Sequence, residues 1–469
     1  MATRTIRILL GVAALVGTGC AAELGDGEKA VGEAADRRPF ADPTGLSVPP
    51  VARAYEVARA IDRDLGLDSS AANAPAAAIA EPGEVITVTG RVLQLSGARV
   101  GVLKVFILGQ GAATLTDANG NFTIPNVRVP YDVVIASPSG TTSHTVLYQG
   151  LLRPDPRLVA FTEARFLATI TGAVSGGAGY PEPAGHFSFV QIGTDRGGMG
   201  FGQVNRTTGA YGASAEWGFA PSTTAHLTAL QFVAGGGRVQ SFTGAATAQF
   251  PIRDGQAVVR PVPLLPVETT TIAGAYTYPP GYSFLGVVPA VESVNFSFLP
   301  LPVDPVDRGT FSVAAPIIAG RSTFVAVEAF SPSGGLSEIA RRGIAPGSKD
   351  LAIHLPEAPD IIAPPDGATD VDHDTVFLAT DFPAGVCLFQ FTGSATDPSF
   401  TVVSSDPVAR IPDLSEIGVS LPRAAHYSVE LQGLGPFADV DDFAGPTGPL
   451  PSPELIIVAA PFVRFTTAP

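Results

Sequence analysis

Beyond residue 84 the chain alternates short apolar runs with clusters of Gly, Pro, Ser and Asn. Ile86, Val88 and Val92 are followed by Val100 to Leu108, then Phe122 and Ile124, Tyr131 to Ile135, and Thr145 to Tyr148. Runs of this length with period-two alternation predict strands that each bury one face, and their regular spacing predicts an all-β sandwich. In Thr116-Asp-Ala-Asn-Gly-Asn-Phe122, Asp, Asn and Gly stand between two such runs. Asn119-Gly120 supplies the backbone freedom of a tight turn, so the stretch predicts a hairpin.

The pattern then restarts. Ala168-Thr-Ile-Thr-Gly-Ala-Val174 repeats the Thr-Gly-x-Val cadence of Thr89 to Val92, and Thr207-Thr-Gly-Ala-Tyr211 takes the place of Asp117 to Phe122. Thr270-Thr-Ile-Ala-Gly-Ala-Tyr276 begins a third round, and Ile361-Ile-Ala-Pro-Pro-Asp-Gly marks a join before a fourth unit. These are weak internal repeats of roughly 100 residues. The expected division is 85–165, 166–266, 267–357 and 358–469, four tandem sandwiches.

Ahead of them the pattern differs. Residues 1–20 have a basic start at Arg4 and Arg7 and an apolar core from Ile8 to Val16, which predicts a secretion signal. Residues 21–84 are rich in Ala, Gly, Glu, Asp and Pro and predict a flexible tether. Within it Tyr55, Ala58, Ile61 and Leu65 recur at helical spacing after Pro49-Pro50 and before Gly66, predicting a short amphipathic helix over 51–65.

Composition supports this picture: 45% hydrophobic and 15% charged residues, with 52 Gly and 43 Pro, suit many turns between short strands. A net charge of -15 repels nucleic acid and excludes it as an expected partner. The two cysteines, Cys20 and Cys387, are too far apart in sequence and setting to suggest a disulfide framework. Cys387, in the alternating run Val386-Cys-Leu-Phe-Gln-Phe391, reads as a buried core thiol.

Three resemblances add to the residue reading. Leu15-Val-Gly-Thr-Gly-Cys20 resembles the bacterial lipoprotein box, with Gly17 where that family usually has Leu. It implies lipidation at Cys20 and a membrane-anchored protein, with Ala21 rather than Asp favouring the outer membrane or cell surface. Two or more acyl chains suffice for stable anchoring, each buried CH₂ contributing about 0.8 kcal/mol. Val88-Thr-Gly-Arg-Val92, Ala98 to Val105, the stretch Thr116 to Phe122 and Pro130-Tyr-Asp-Val-Val134 resemble the carboxypeptidase regulatory-like domain, a transthyretin-like sandwich. That family implies a non-catalytic module, and the matching positions are turn and core. Leu421, Tyr427 and the alternating Tyr427-Ser-Val-Glu-Leu431 resemble the fibronectin type III fold, implying a tyrosine corner whose hydroxyl bonds back to nearby backbone.

Candidate chemistry is sparse. Asp370-Val-Asp-His-Asp374 has the alternating carboxylates of a calcium loop, but Thr375 stands where the sharp turn needs Gly, so a solvated acidic turn is the expectation. Asp117, Asn119 and Asn121 form a similar trio. Gly197-Gly-Met-Gly-Phe-Gly202 lacks the lysine of a phosphate loop and reads as a flexible loop. Gly212-Ala-Ser-Ala-Glu216 lacks the closing Gly of a nucleophile elbow. Asp441-Asp442 reads as a surface acid pair. Trp217, near Tyr211 and Phe219, suits a core face better than a sugar-stacking platform. The expectation is therefore a protein with no catalytic residue, metal or cofactor, acting by binding or display. Carbohydrate is the most concrete ligand; an adhesin or envelope scaffold with protein partners is the alternative, and an accessory subunit or unrecognised hydrolase a further one.

Overall fold

The computed structural model describes residues 79–94, 103–117, 120–137, 144–160, 166–194, 199–217, 221–235, 238–292, 298–301, 306–394, 396–445 and 453–469. The expected signal, Cys20 and the 51–65 helix lie outside these residues. The fold is all β, built from Ig-like sandwiches.

The first unit contains β1 (Val85–Gln94), β2 (Lys104–Ile107), β3 (Ala112–Leu115), β4 (Asn121–Arg128), β5 (Tyr131–Ser137), β6 (His144–Leu151) and β7 (Arg157–Ala160). One sheet has the order β4-β1-β7, and facing it run β3-β2-β5-β6. Along β4 the alternation places Phe122, Ile124 and Val127 in the core between the sheets.

The second unit has β8 (Phe166–Gly176), β9 (His186–Thr194), β10 (Met199–Gln203), β11 (Ala210–Trp217), β12 (Ser222–Gly235), β13 (Arg238–Arg253), β14 (Ala257–Val259) and β15 (Val262–Leu264). The third has β16 (Thr269–Thr277), β17 (Ser283–Glu292), β18 (Phe298–Pro300), β19 (Thr310–Pro316), β20 (Thr323–Phe330), β21 (Leu336–Ile344) and β22 (Leu351–His354). Both repeat the first unit's plan. In each, the opening strand pairs antiparallel with the fourth and parallel with the last, and the remaining four run third, second, fifth, sixth.

The recurring Thr-Gly or Ala-Gly cadence has a packing cause. Gly90, Gly172 and Gly274 on the opening strands are the cross-strand partners of Phe122, Tyr211 and Phe311. A Cβ at Gly274 would stand 2.4 Å from the Leu351 carbonyl oxygen and 2.7 Å from Phe311 Cζ; at Gly90, 2.5 Å from Phe122 Cζ; at Gly172, 2.1 Å from the Arg260 oxygen. Each aromatic ring thus lies over its glycine, in a space that any side chain would fill. Two residues before each ring, Gly120, Gly209 and Gly309 turn the chain at φ 80, 75 and 65°, and their carbonyls accept from Val92, Val174 and Tyr276.

These bonds correct the expected hairpin. β3 pairs with β2 and β4 with β1, so Thr116 to Phe122 passes from one sheet to the other. Thr116 N–H still bonds to Leu103 in the first sheet, whereas the Gly120 carbonyl already accepts from Val92 in the second. The turn is an arch over the end of the sandwich. The glycine-rich loop expectation also fails within the described residues: Met199–Gln203 is strand β10, whose Gly200 and Gly202 admit the carbonyls of Ser214 and Gly212 from β11.

The fourth unit has β23 (Ile361–Ala363), β24 (Ala368–Val371), β25 (Phe377–Ala379), β26 (Val386–Thr392), β27 (Ser399–Ser404), β28 (Val408–Ala409), β29 (His426–Gly435), helix α1 (Val440–Phe443), β30 (Glu454–Ala459) and β31 (Val463–Thr467). β23-β25-β28 face β27-β26-β29-β30. Phe377, Phe391 and Phe465 meet between them, with Phe377 4.8 Å from Phe391 and 5.2 Å from Phe465 between ring centroids. Tyr427 corrects the corner expectation. Its hydroxyl donates to the Pro398 carbonyl at 2.8 Å, across to the loop before β27 rather than to the backbone just upstream.

The units are not strung in chain order. β21 pairs antiparallel with β30, and β27 pairs parallel with β6, so the fourth unit lies between the third and the first in one 14-stranded sheet. The second unit packs on the third through Phe232, Phe242, Val291 and Leu301.

Candidate functional site

The joint between first and fourth units leaves a cleft of about 480 Å³. Leu108, Asp132, Leu147 and Gln149 line it from the first unit, and Asp372, His373, Asp374 and Arg410 to Asp413 from the fourth. It exists because the parallel pairing of β27 with β6 brings the β24–β25 loop over the sheet formed by β2, β5 and β6.

Several of its carboxylates are committed to the backbone. Asp372 Oδ1 accepts from the amides of Asp374 at 3.1 Å and Thr375 at 3.0 Å and from the Thr375 hydroxyl at 2.9 Å. The Thr375 hydroxyl, with those amides, holds its carboxyl below the usual range. Asp413 accepts from the Ser415 amide at 3.0 Å, which lowers its pKa likewise. Asp132 behaves oppositely: burial raises its pKa although it accepts from Gly150 N–H at 2.8 Å. His373 Nδ1 lies 3.1 Å from the Ile411 carbonyl, which can only accept, so Nδ1 carries a proton there.

The cleft therefore offers donors at Arg410 and Gln149, acceptors at Asp132 and Asp374, and an aliphatic floor at Leu108 and Leu147. Such a lining can hydrogen-bond a polar group and pack on an apolar one. It contains no Ser or Cys beside a base. Among the described residues no three His, Cys, Asp or Glu side chains are grouped to hold a metal ion. The acidic turn at Asp370 to Asp374 thus joins a cleft, with Asp372 closing its own turn.

The other singled-out residues serve the architecture. Asp117 closes the arch, taking the Asn121 amide at 2.8 Å and its side-chain amide at 3.0 Å. Trp217 and Tyr211 are buried in the second unit's core, Trp217 beside Phe166, and Phe219 lies outside the described residues. Cys387 is buried, and burial pushes its thiol up to about 12, so it is a core residue rather than a nucleophile. Asp441 departs from the surface reading: it is 5% exposed and accepts from the amides of Leu152 and Arg153. Asp442 accepts from Ala438 N–H at the start of α1. Sequence reasoning missed Gln149, Arg410 and Asp413, which carry no local motif and meet only through long-range pairing.

No family model matches the chain, and no curated protein matches it. Among solved structures it is similar to the Bacillus anthracis TIE protein, at 11% identity and a TM-score of 0.17, over 58% of this chain and 50% of that one. The chain thus spans half the length of that protein. It is also similar to a streptococcal ancillary pilin, at 11% identity and a TM-score of 0.14 over 56% and 91% of the two chains. Chicken CNTN1 FN1-FN3 domains give 9% identity and a TM-score of 0.14 over 62% and 92%. At such values the likeness carries no argument about function; the fold assignment rests on the strand order.

Proposed function

We propose that the chain is a non-enzymatic protein of the bacterial cell envelope, held by a lipid on Cys20, whose joined sandwiches present a stiff surface to a protein partner. The observation that supports it is the sheet running without a break through the third, fourth and first units. Sandwiches joined by linkers reorient freely, whereas backbone pairing across β21–β30 and β27–β6 fixes their angle. Its twelve-strand path, at about 4.8 Å per strand, spans on the order of 50 Å. The resemblances of the first and fourth units to the carboxypeptidase regulatory-like and fibronectin type III modules support the same reading.

In-cell crosslinking from exposed positions such as Leu115 and Val259 tests the partner. Recovery of a defined envelope protein is expected, and crosslinks to no protein above a Cys20→Ser control overturn this reading. Palmitate labelling and membrane fractionation of Cys20→Ser test the anchor.

Carbohydrate binding is a second reading, favoured by the cleft's mixed donors and acceptors over Leu108 and Leu147. Titration of glycans up to millimolar concentration against the protein and Arg410→Ala tests it. No binding, or binding indifferent to Arg410, removes it.

A further inference from the structure

One sheet edge of the second unit is left open. In the first and third units the sixth strand, β6 or β21, gives its outer edge to a strand of the fourth unit: β27 pairs along residues 144–148 and β30 along residues 336–341. β13 is the sixth strand of the second unit, and β12 is its only strand partner among the described residues. An edge of this kind presents a row of unpaired N–H and carbonyl groups.

The chain closes this edge at two points. Ala245 donates to and accepts from Leu265, while Arg253 donates its N–H to Gln256 Oε1 at 2.9 Å and accepts from Gln256 N–H. From Ala245 to Arg253 the ladder with β12 is regular, so every second residue turns both backbone groups the same way. Thr247, Gln249 and Pro251 therefore turn theirs outwards. All three are exposed, and no described residue bonds to their backbone on that side. The return from Arg253 to Leu265 runs beside the edge and carries Val259 and Leu265, which are 75% and 68% exposed.

Three features say what fits here. The equivalent edges of β6 and β21 each take an extended strand. The open stretch is symmetric about Gln249, with the closed positions Ala245 and Arg253 four residues to either side. Thr247, Gln249 and Pro251 are uncharged, whereas edges that avoid association carry charges, so a second β13 meets no like charge along this stretch.

We propose that β13 pairs antiparallel with β13 of a second copy of this chain, about a twofold axis at Gln249. Gln249 exchanges N–H and carbonyl with Gln249 of the second copy, and Thr247 N–H donates to the Pro251 carbonyl of the second copy, in both directions. Pro251 has no N–H to give, which leaves only the Thr247 carbonyl of each copy without a partner in the ladder. Two four-stranded sheets become one of eight, in a contact that uses the same surface on both copies and closes on itself.

Sedimentation of the full chain carrying Cys20→Ser tests this. A dimer that dissociates on dilution is expected. Gln249→Pro removes an outward N–H and no bond to β12, so it should weaken the dimer at least about tenfold and leave the melting temperature of the dilute monomer unchanged. In Gln249→Cys the two thiols meet across the axis, within the Cα separation that a disulfide spans. With diamide as oxidant it should crosslink at least about tenfold faster than Gln240→Cys, an exposed position of β13 away from the axis, while the native Cys387 is buried. A chain that stays monomeric up to about 0.1 mM overturns the proposal. So does a dimer indifferent to Gln249→Pro, or crosslinking no faster in Gln249→Cys than in Gln240→Cys. Should Gln249→Pro fail to fold, the two cysteine variants decide.

Discussion

Arg153 donates its backbone N–H to the Asp441 carboxylate at 3.0 Å and its Nη1 to the Asp441 carbonyl oxygen at 2.6 Å, closing the joint between the first and fourth units. Leu152 N–H bonds to the same carboxylate. Asp441→Ala leaves two buried amides without an acceptor, and each such group costs about 1–3 kcal/mol. The expected loss is about 3 kcal/mol in urea denaturation, with faster hydrogen exchange at Leu152 and Arg153. Asp441→Asn, which keeps one acceptor oxygen, should fall between. Wild-type stability in Asp441→Ala would show that α1 does not hold the joint.

The glycine that faces an aromatic ring in each repeat is predicted to be irreplaceable. In Gly274→Ala the new methyl meets the Leu351 carbonyl and the Phe311 ring together, and neither can retreat from a paired strand. Overpacking of this kind costs about 1–3 kcal/mol. Gly274→Ala paired with Phe311→Leu should recover part of the loss, because the ring is one of the two obstacles. Calorimetry that found Gly274→Ala as stable as the parent would refute the packing account.

Glu328 and Glu338 are cross-strand partners, both buried. Burial pushes Glu328 up to about 7, and burial together with the Glu328 charge raises Glu338 as well. The folded state therefore holds protons that the unfolded state releases near pH 4.5. Their contribution is complete below that pH and is lost as pH rises through about 7, a change on the order of a few kcal/mol. The denaturation midpoint should fall between pH 5 and 8, and Glu328→Gln should flatten the fall while stabilising the protein at pH 8. An unchanged slope in Glu328→Gln would rule out this pair as its source.

His144 gives the opposite slope, at the joint between the first and fourth units. Its Nδ1 lies 2.5 Å from Ser399 Oγ, a partner 255 residues away, and burial pushes its pKa down to about 4. The stability this neutral ring contributes is present above pH 6.5 and is lost as pH falls toward 4. Exchange of β27 and β6 amides should quicken over that range, and His144→Gln should remove the dependence. If the variant keeps it, another group is responsible.

Much of the repeat plan could be read from the chain because it is written in local chemistry. Gly90, Gly172 and Gly274 recur for a contact that each unit makes within itself, and the alternation around them marks the buried face of each strand. The crossing between Asp117 and Phe122 cannot be told from a hairpin by its sequence, because Asp, Asn and Gly ease a turn between paired strands and a turn between sheets alike. Which of the two forms depends on the partners of β3 and β4, and these lie outside the turn. The same limit hid the cleft. Gln149 and Arg410 line one cleft only because β6 and β27 pair, and neither strand's pattern names its neighbour. Asp441 looked like a surface acid because its burial comes from another unit.

The sheet's order also sets a sequence of events in time. During synthesis the first and third units emerge before the fourth, and until β27 and β30 arrive, β6 and β21 are bare sheet edges, the feature that invites association between chains. Translation of residues 399–459 is what removes that hazard from strands completed up to about 250 residues earlier. A chain halted before β27 would keep its sandwiches and expose both edges, so truncated products of this protein should aggregate more readily than the full-length chain.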